Sequence, residues 1–183
     1  MKKTVWTFGL TVGGILSAMM VITLPFEASL ENAGEIIGYT TMVLAFLLIY
    51  FGIRSYRDNV AGGSVTFGRA LAIGALITGL SSMCYVATWE LMYFKLAPSM
   101  AARFDAVAIE KAKQGATSPE QIQRKTAETQ RFLAVYKNPV MNSAITFLEP
   151  LPVGLVIALV SAGVLRRKRT TSAGAALAAS SPL

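Results

Sequence analysis

Four stretches of this chain are too long and too apolar for the surface of a soluble domain. Val5 to Leu24 is twenty residues without a charge, and Ile36 to Ile53 is eighteen. The third stretch, residues 68 to 94, has an uncharged centre from Ala70 to Ala87, and residues 144 to 165 make the fourth. At 1.5 Å per residue, eighteen to twenty helical residues cover about 30 Å, one hydrocarbon thickness. Inside hydrocarbon every backbone N–H and C=O must be bonded within the chain, so an isolated stretch of this kind crosses as a helix. The sequence therefore predicts an all-α integral membrane protein, a four-helix bundle with transmembrane helices at about 5–24, 36–53, 68–94 and 144–165. The composition agrees. Charged residues are 15% of the chain, against about 25% in an average soluble domain.

Between these stretches the punctuation is specific. Met1-Lys2-Lys3 followed by apolar residues also suits a signal peptide, but Phe26 and Glu27 sit where small residues are needed before a cleavage site, so an uncleaved helix closed by Pro25 is expected. Tyr50 and Tyr56 suit the membrane interface, and Gly62-Gly63 predicts a tight turn with positive φ. Residues 95 to 139 are polar and read as an extramembrane helical hairpin. Its first helix is capped near Ser99 and stops at Gly115. Its second starts at Ser118-Pro119-Glu120-Gln121, carries a Glu120–Arg124 pair, and breaks at Asn138-Pro139. The membrane domain then occupies residues 1–169, and the uncharged Ala/Ser/Thr tail, 170–183, is expected to be disordered.

Basic residues gather at the ends of the apolar stretches. Lys2, Lys3, Arg54, Arg57, Arg69, Arg166, Arg167, Lys168 and Arg169 all fall on one side if the chain crosses four times. The positive-inside rule makes that side the cytoplasm, with both termini inside and a bacterial inner membrane as the location. The eight remaining basic residues lie in the hairpin, a loop long enough to weigh less in that rule. Arg54, Arg57, Arg69 and Arg166 to Arg169 are the candidate lipid-headgroup contacts. The net charge of +7 is thus a membrane feature. No basic face is paired with base-stacking aromatics, so nucleic acid is not an expected partner. The lipid bilayer is.

The chain has no histidine and one cysteine, Cys84. That excludes a His-based triad, a His-ligated metal or haem, a zinc cluster and an intrachain disulfide. No phosphate-binding glycine loop, activated nucleophile or Asp-rich metal motif is present. No catalytic residue, metal ligand or cofactor is assigned, and a non-enzymatic protein is expected.

Glu90 and Glu149 are the informative positions, since a carboxylate in an apolar span is costly and needs a partner or water. Both are expected about one helical turn inside the outer interface, and Glu27 in the first loop approaches them. The ordinary reading is a pair of interfacial glutamates. The sharper one is a proton or cation site, with Pro150 and Pro152 freeing upstream carbonyls beside Glu149. Asp58, Arg57 and Arg69 form a second polar cluster near the glycine turn, read as inner-leaflet anchoring plus a salt bridge. Gly9-xxx-Gly13, Ala70-xxx-Gly74, Ala75-xxx-Gly79 and Gly154-xxx-Ala158 are spacings that let helix backbones approach closely, and Cys84 reads as a small packing residue.

Several segments in order resemble one family: Tyr56-Arg57-Asp58, Gly62-Gly63-Ser-Val-Thr66-Phe67-Gly68-Arg69-Ala70, Ala97-Pro98, Tyr136-Lys-Asn138-Pro139, Phe147-Leu-Glu149-Pro150-Leu-Pro152-Val-Gly154 and Arg166-Arg-Lys168. The chain resembles DUF4199, small bacterial four-helix membrane proteins, over about residues 5 to 168. The resemblance implies the fold and the membrane and carries no activity or functional residue. From the residues, the first expectation is a non-enzymatic protein whose external hairpin contacts a membrane or envelope partner. The alternative is a small carrier or channel subunit using Glu90 and Glu149, which would require homo-oligomerisation because four spans make a thin pathway.

Overall fold

The computed structural model describes residues 1–23, 32–96, 98–114 and 116–166. Glu27, Arg167, Lys168, Arg169, Gly115 and the 170–183 tail lie outside the described residues. Among the described residues there are eight α-helices in chain order: α1 (Lys2–Thr23), α2 (Asn32–Phe46), α3 (Leu48–Asn59), α4 (Phe67–Leu91), α5 (Pro98–Gln114), α6 (Pro119–Tyr136), α7 (Pro139–Leu148) and α8 (Pro150–Leu165). A π-helical turn, Met92–Leu96, extends α4. No strand occurs among the described residues.

Four helical stretches are long and apolar enough to cross a membrane: Lys2–Thr23, Ile36–Asn59, Phe67–Leu96 and Pro139–Leu165. The second and fourth are each two helices in line. At Leu47 the ladder tightens, with the Tyr50 amide reaching the Leu47 carbonyl at 3.1 Å. At Glu149 the backbone stays helical (φ −61°, ψ −54°), but Pro150 has no N–H to return to the Thr146 carbonyl. The fourth stretch begins five residues earlier than the apolar run suggests. Asn138 explains why: its Oδ1 accepts from the amides of Val140 and Met141 at 3.0 and 3.4 Å, and Pro139 takes the first helical position.

Glycine decides which helices touch. A Cβ on Gly9 would stand 2.7 Å from Leu80, and one on Gly13 would stand 2.7 Å from the Cys84 Cβ. One turn further, Thr88 Oγ1 donates to Ser17 Oγ at 2.8 Å. The partners advance together, so α1 and α4 run parallel in tight contact. On the other side of α4 the order reverses. Gly74 meets Ala158, Thr78 meets Gly154, Tyr85 meets Glu149 and Glu90 meets Ser143, so α4 runs antiparallel to α7 and α8. α2 and α3 complete the packing by touching both α1 and α8. Three of the four small-residue spacings and Cys84 thus serve helix contact. The fourth does not, because nothing lies within 4 Å of a Cβ on Gly79.

The enclosed side chains are Val12, Phe46, Ile49, Ile53, Ile73 and Ile77, all fully buried. Buried hydroxyls on α4 turn back to their own helix: Thr78 donates to the Gly74 carbonyl at 2.9 Å and Ser81 to that of Ile77 at 2.8 Å. The outward faces are as apolar as the inward ones, with Leu44, Met83, Val160 and Val164 all largely exposed. A surface of that kind is tolerated where the solvent is lipid.

The remaining elements obey their local chemistry. Gly62 and Gly63 adopt φ of 67° and 83°, as the turn requires, and the Gly63 amide closes on the Arg57 carbonyl at 2.9 Å. Ser118 Oγ accepts from the Gln121 amide at 3.2 Å while Gln121 Oε1 accepts from the Thr117 amide at 3.0 Å, so α6 opens on a reciprocal cap. Arg124 pairs with Glu128 at 2.9 Å instead of with Glu120. Both glutamates stand four residues away, and the exposed guanidinium takes the C-terminal one, although the reverse order is the better one for an i,i+4 pair. α5 and α6 pack on each other as a helix pair.

Candidate functional site

The helix pair is held to the end of α4 by aromatic rings. Trp89, Tyr93 and Phe94 belong to α4 and its π-helical turn, Phe104 to α5, and Phe132 and Tyr136 to α6. Phe104 stacks on Tyr136 with centroids 5.5 Å apart and meets Trp89 edge-on at 5.4 Å. Phe132 stacks on Tyr136 at 5.5 Å, and Tyr93 stands perpendicular to Tyr136 at 5.8 Å. Each such pair contributes about 0.5–1.5 kcal/mol beyond area burial. Two polar contacts pin the rim. Lys137 Nζ lies 3.1 Å from Asp105 Oδ2, and the Tyr93 hydroxyl reaches Asp105 Oδ1 at 3.5 Å.

Beneath these rings a polar cluster joins α6 to α7. Asn142 is fully buried. Its Nδ2 donates to the Tyr136 carbonyl at 3.2 Å, satisfying a helix-end acceptor, and its Oδ1 accepts from Thr146 Oγ1 at 3.4 Å. Thr146 Oγ1 also lies 3.2 Å from the Tyr136 hydroxyl. Burial pushes the Tyr136 hydroxyl above its ordinary pKa, a rise that the Thr146 hydrogen bond partly offsets. The phenol therefore stays neutral and can donate.

These elements enclose an open cavity of about 520 Å³. Phe104, Phe132 and Tyr136 line it from the helix pair, Tyr85 and Trp89 from α4, and Ile145 and Thr146 from α7. α1 contributes Leu16, Met19, Met20 and Thr23, and α2 contributes Gly38, Tyr39, Thr41 and Met42. Glu149 completes the wall and is the one charged residue among those lining it. The Tyr85 hydroxyl donates to Glu149 Oε2 at 3.3 Å. The indole N–H of Trp89 is buried and meets no partner of good hydrogen-bond geometry among the described residues. A largely apolar wall with a few convergent polar groups is the usual form of a small-molecule site.

The two glutamates expected to share a site have different surroundings. Glu90 Oε1 accepts from Ser143 Oγ at 2.9 Å and is not among the residues lining the cavity. Glu149 touches Tyr85, five residues before Glu90 on α4, so the backbone levels of α4 that the two glutamates occupy or touch differ by about 7.5 Å along the helix axis. They are not level with one another, because Glu149 is the junction residue of an apolar helical stretch that starts at Pro139. At the opposite end Asp58 lies 2.6 Å from Arg57 and 3.6 Å from Arg54, while Arg69 is exposed and outside this cluster. Arg166 ends α8, its amide bonded to the Ala162 carbonyl at 3.1 Å. Among the described residues no three His, Cys, Asp or Glu side chains come together as metal ligands would.

A family model matches residues 7–167, nearly the whole described chain. The chain belongs to DUF4199. The family's description is "Protein of unknown function", so membership assigns this DUF4199 protein no activity. No curated protein and no solved structure matches the chain. Two of the segments that carry the family resemblance fall on the elements that build the site. Tyr136-Lys-Asn138-Pro139 joins α6 to α7, and Glu149-Pro150-Leu-Pro152 joins α7 to α8 beside the cavity. The role of Trp89, Phe104, Phe132 and Tyr136 as one cluster is not foreseen by the apolar pattern. Its one local signal is the Phe132/Tyr136 spacing, which puts two rings on one face of an otherwise polar helix.

Proposed function

We propose that this DUF4199 protein is a four-span bacterial inner-membrane protein that binds a small molecule in the cavity beneath its helix pair and performs no reaction on it. The observation that carries the reading is the cavity itself. About 520 Å³ lies within the range of ordinary ligand sites, and six helices contribute to its wall. The helix pair α5–α6 then stands outside the bilayer, and its aromatic face covers the site. Its exposed face, with Arg124, Glu128 and Val135, is left for contact with an envelope partner. Both termini are cytoplasmic in this reading, because Arg54, Arg57, Arg69 and Arg166 lie at the end of the spans away from the cavity.

The test is native mass spectrometry on protein extracted gently from membranes, comparing the unmutated chain with Ile145→Trp, which fills the cavity. A bound small molecule present in the first and lost in the second supports the reading. The same adducts in both would refute it. A carrier role is the second reading, favoured by one observation: Glu149 stands in the cavity wall directly before Pro150. It predicts that Glu149→Gln abolishes flux in liposomes while Glu90→Gln, whose carboxylate faces Ser143, leaves flux intact.

A further inference from the structure

The chemistry of the cavity wall narrows what it can hold. Glu149 has the Tyr85 hydroxyl as its hydrogen-bond partner and forms no ion pair among the described residues. Lys137, just past the end of α6, is tied to Asp105 at 3.1 Å. A carboxylate against an apolar wall is costly until a proton or a positive charge comes to it. The rest of the wall offers what a soft cation prefers. The faces of aromatic rings attract ammonium groups within about 6 Å of the ring centroid, and tryptophan does so best. Trp89 and Tyr85 lie one turn apart on α4 and line the same space, with Phe104 and Tyr136 beside them. Met19 and Met20 supply polarizable, adaptable surface for an apolar body.

Resting on the reading that this cavity holds a ligand, we propose that the ligand is a singly charged organic cation, an ammonium or quaternary ammonium on an aromatic or aliphatic body, with Glu149 as its counter-ion and Trp89 and Tyr85 as its aromatic wall. An anion is rejected by Glu149. A neutral molecule of the same shape keeps the packing and loses both the ion pair and the cation–π attraction.

The experiment uses the full chain in nanodiscs. The protein has two tryptophans. Trp6 is exposed near the start of α1, away from the cavity, so Trp6→Phe leaves Trp89 as the reporter. Its emission is titrated with benzyltrimethylammonium, with neopentylbenzene as the neutral isostere, and with phenylmethanesulfonate as the anion. The expected result is a saturable change with the cation at a concentration at least tenfold below that needed for either of the others. Glu149→Gln is expected to erase that tenfold preference while Glu90→Gln retains it. Equal binding of cation and neutral isostere would overturn the charge assignment and leave the cavity as a ligand site. Binding of none of the three would remove the ligand reading together with it. The comparison of probes on the Trp6→Phe protein decides the matter even if Glu149→Gln does not fold. Adding phosphatidylethanolamine to the discs identifies the source of the ammonium: competition assigns it to a lipid headgroup, and its absence assigns it to a free amine, each in support of the charge assignment.

Discussion

Replacing Gly13 by alanine puts a methyl group where α1 and α4 have no room for one. The added Cβ would stand 2.7 Å from the Cys84 Cβ, 3.0 Å from its Sγ and 3.3 Å from the Ser81 Cα. Two of those neighbours are fixed to the α4 backbone, so the helices must separate by several tenths of an ångström. Overpacking of that kind costs about 1–3 kcal/mol. Against it stands the intrinsic gain of alanine over glycine in a helix, about 1 kcal/mol. Gly14, the next residue, has nothing within 4 Å and receives the gain alone. Gly13→Ala is therefore expected to be less stable than Gly14→Ala by about 1–3 kcal/mol, roughly 2–12 °C in melting temperature for a chain of this size. The decisive variant is the double one. Cys84→Gly removes the opposing Cβ, so Gly13→Ala combined with Cys84→Gly should recover about 1–3 kcal/mol relative to the sum of the single changes. Thermal melts of the four proteins in one detergent measure that coupling. Additive effects, or a Gly13→Ala protein as stable as Gly14→Ala, would show that α1 and α4 do not meet through Gly13 and would undo the parallel pairing on which the cavity rests.

Three further outcomes test the site from other directions. Asn142→Leu leaves the buried Tyr136 carbonyl without its 3.2 Å donor and should cost about 1–3 kcal/mol, read as a lower melting temperature. A melt within error of the unmutated protein would mean that the α6–α7 junction is not held there. Phe104→Ala removes the rings' contacts at 5.4 and 5.5 Å; in the Trp6→Phe background it should shift Trp89 emission to the red and speed proteolysis within 98–137, and an unshifted spectrum would argue against the cluster. Ser118→Ala deletes the 3.2 Å cap on α6 and should cost about 1 kcal/mol locally, seen as faster amide exchange in the first turn of α6 and nowhere in α1 or α4.

Legible in the sequence is whatever a single segment dictates by itself. The four apolar stretches need only length and the absence of charge. Gly62-Gly63 needs only the rule that positive φ favours glycine, and Ser118-Pro119 only the chemistry of a helix start. Features that depend on two distant segments are not legible in this way. In the sequence Trp89 and Tyr93 only mark the far end of the third apolar stretch. Their actual neighbours, Phe104 and Tyr136, lie on helices whose docking no local pattern encodes. Counting from apparent span ends pairs Glu90 with Glu149, and the count fails because Asn138-Pro139 ends α6 and begins α7 at once. The small-residue spacings show the same limit from the other side: four look alike in sequence, and only packing separates Gly13 and Gly74 from Gly79.

The two places where the third and fourth spans depart from regular α-helix fall on either side of the site, and this coincidence has a physical reading. α4 ends in a π-helical turn from Met92 to Leu96, shortly after Trp89 and containing Tyr93. α7 meets α8 at Glu149-Pro150, where the proline leaves the Thr146 carbonyl without its helical donor while the Thr146 hydroxyl is engaged by Tyr136. A regular helix in either position would present different side chains to the space beneath α5 and α6. A π turn widens the helix by one residue and rotates the side chains it carries, which swings Tyr93 toward Phe104 and Tyr136. At Pro150 one helical hydrogen bond is missing, so α7, which brings Ile145 and Thr146 to the cavity, is less tightly tied to α8, where Gly154 and Ala158 are locked against Thr78 and Gly74. Such irregularities cost stability and cluster at functional sites. Pro150→Ala tests this: restoring the missing N–H should tighten the α7–α8 junction and weaken occupation of the cavity. A variant that keeps full binding of the cationic probe would mean that the break does not serve the site.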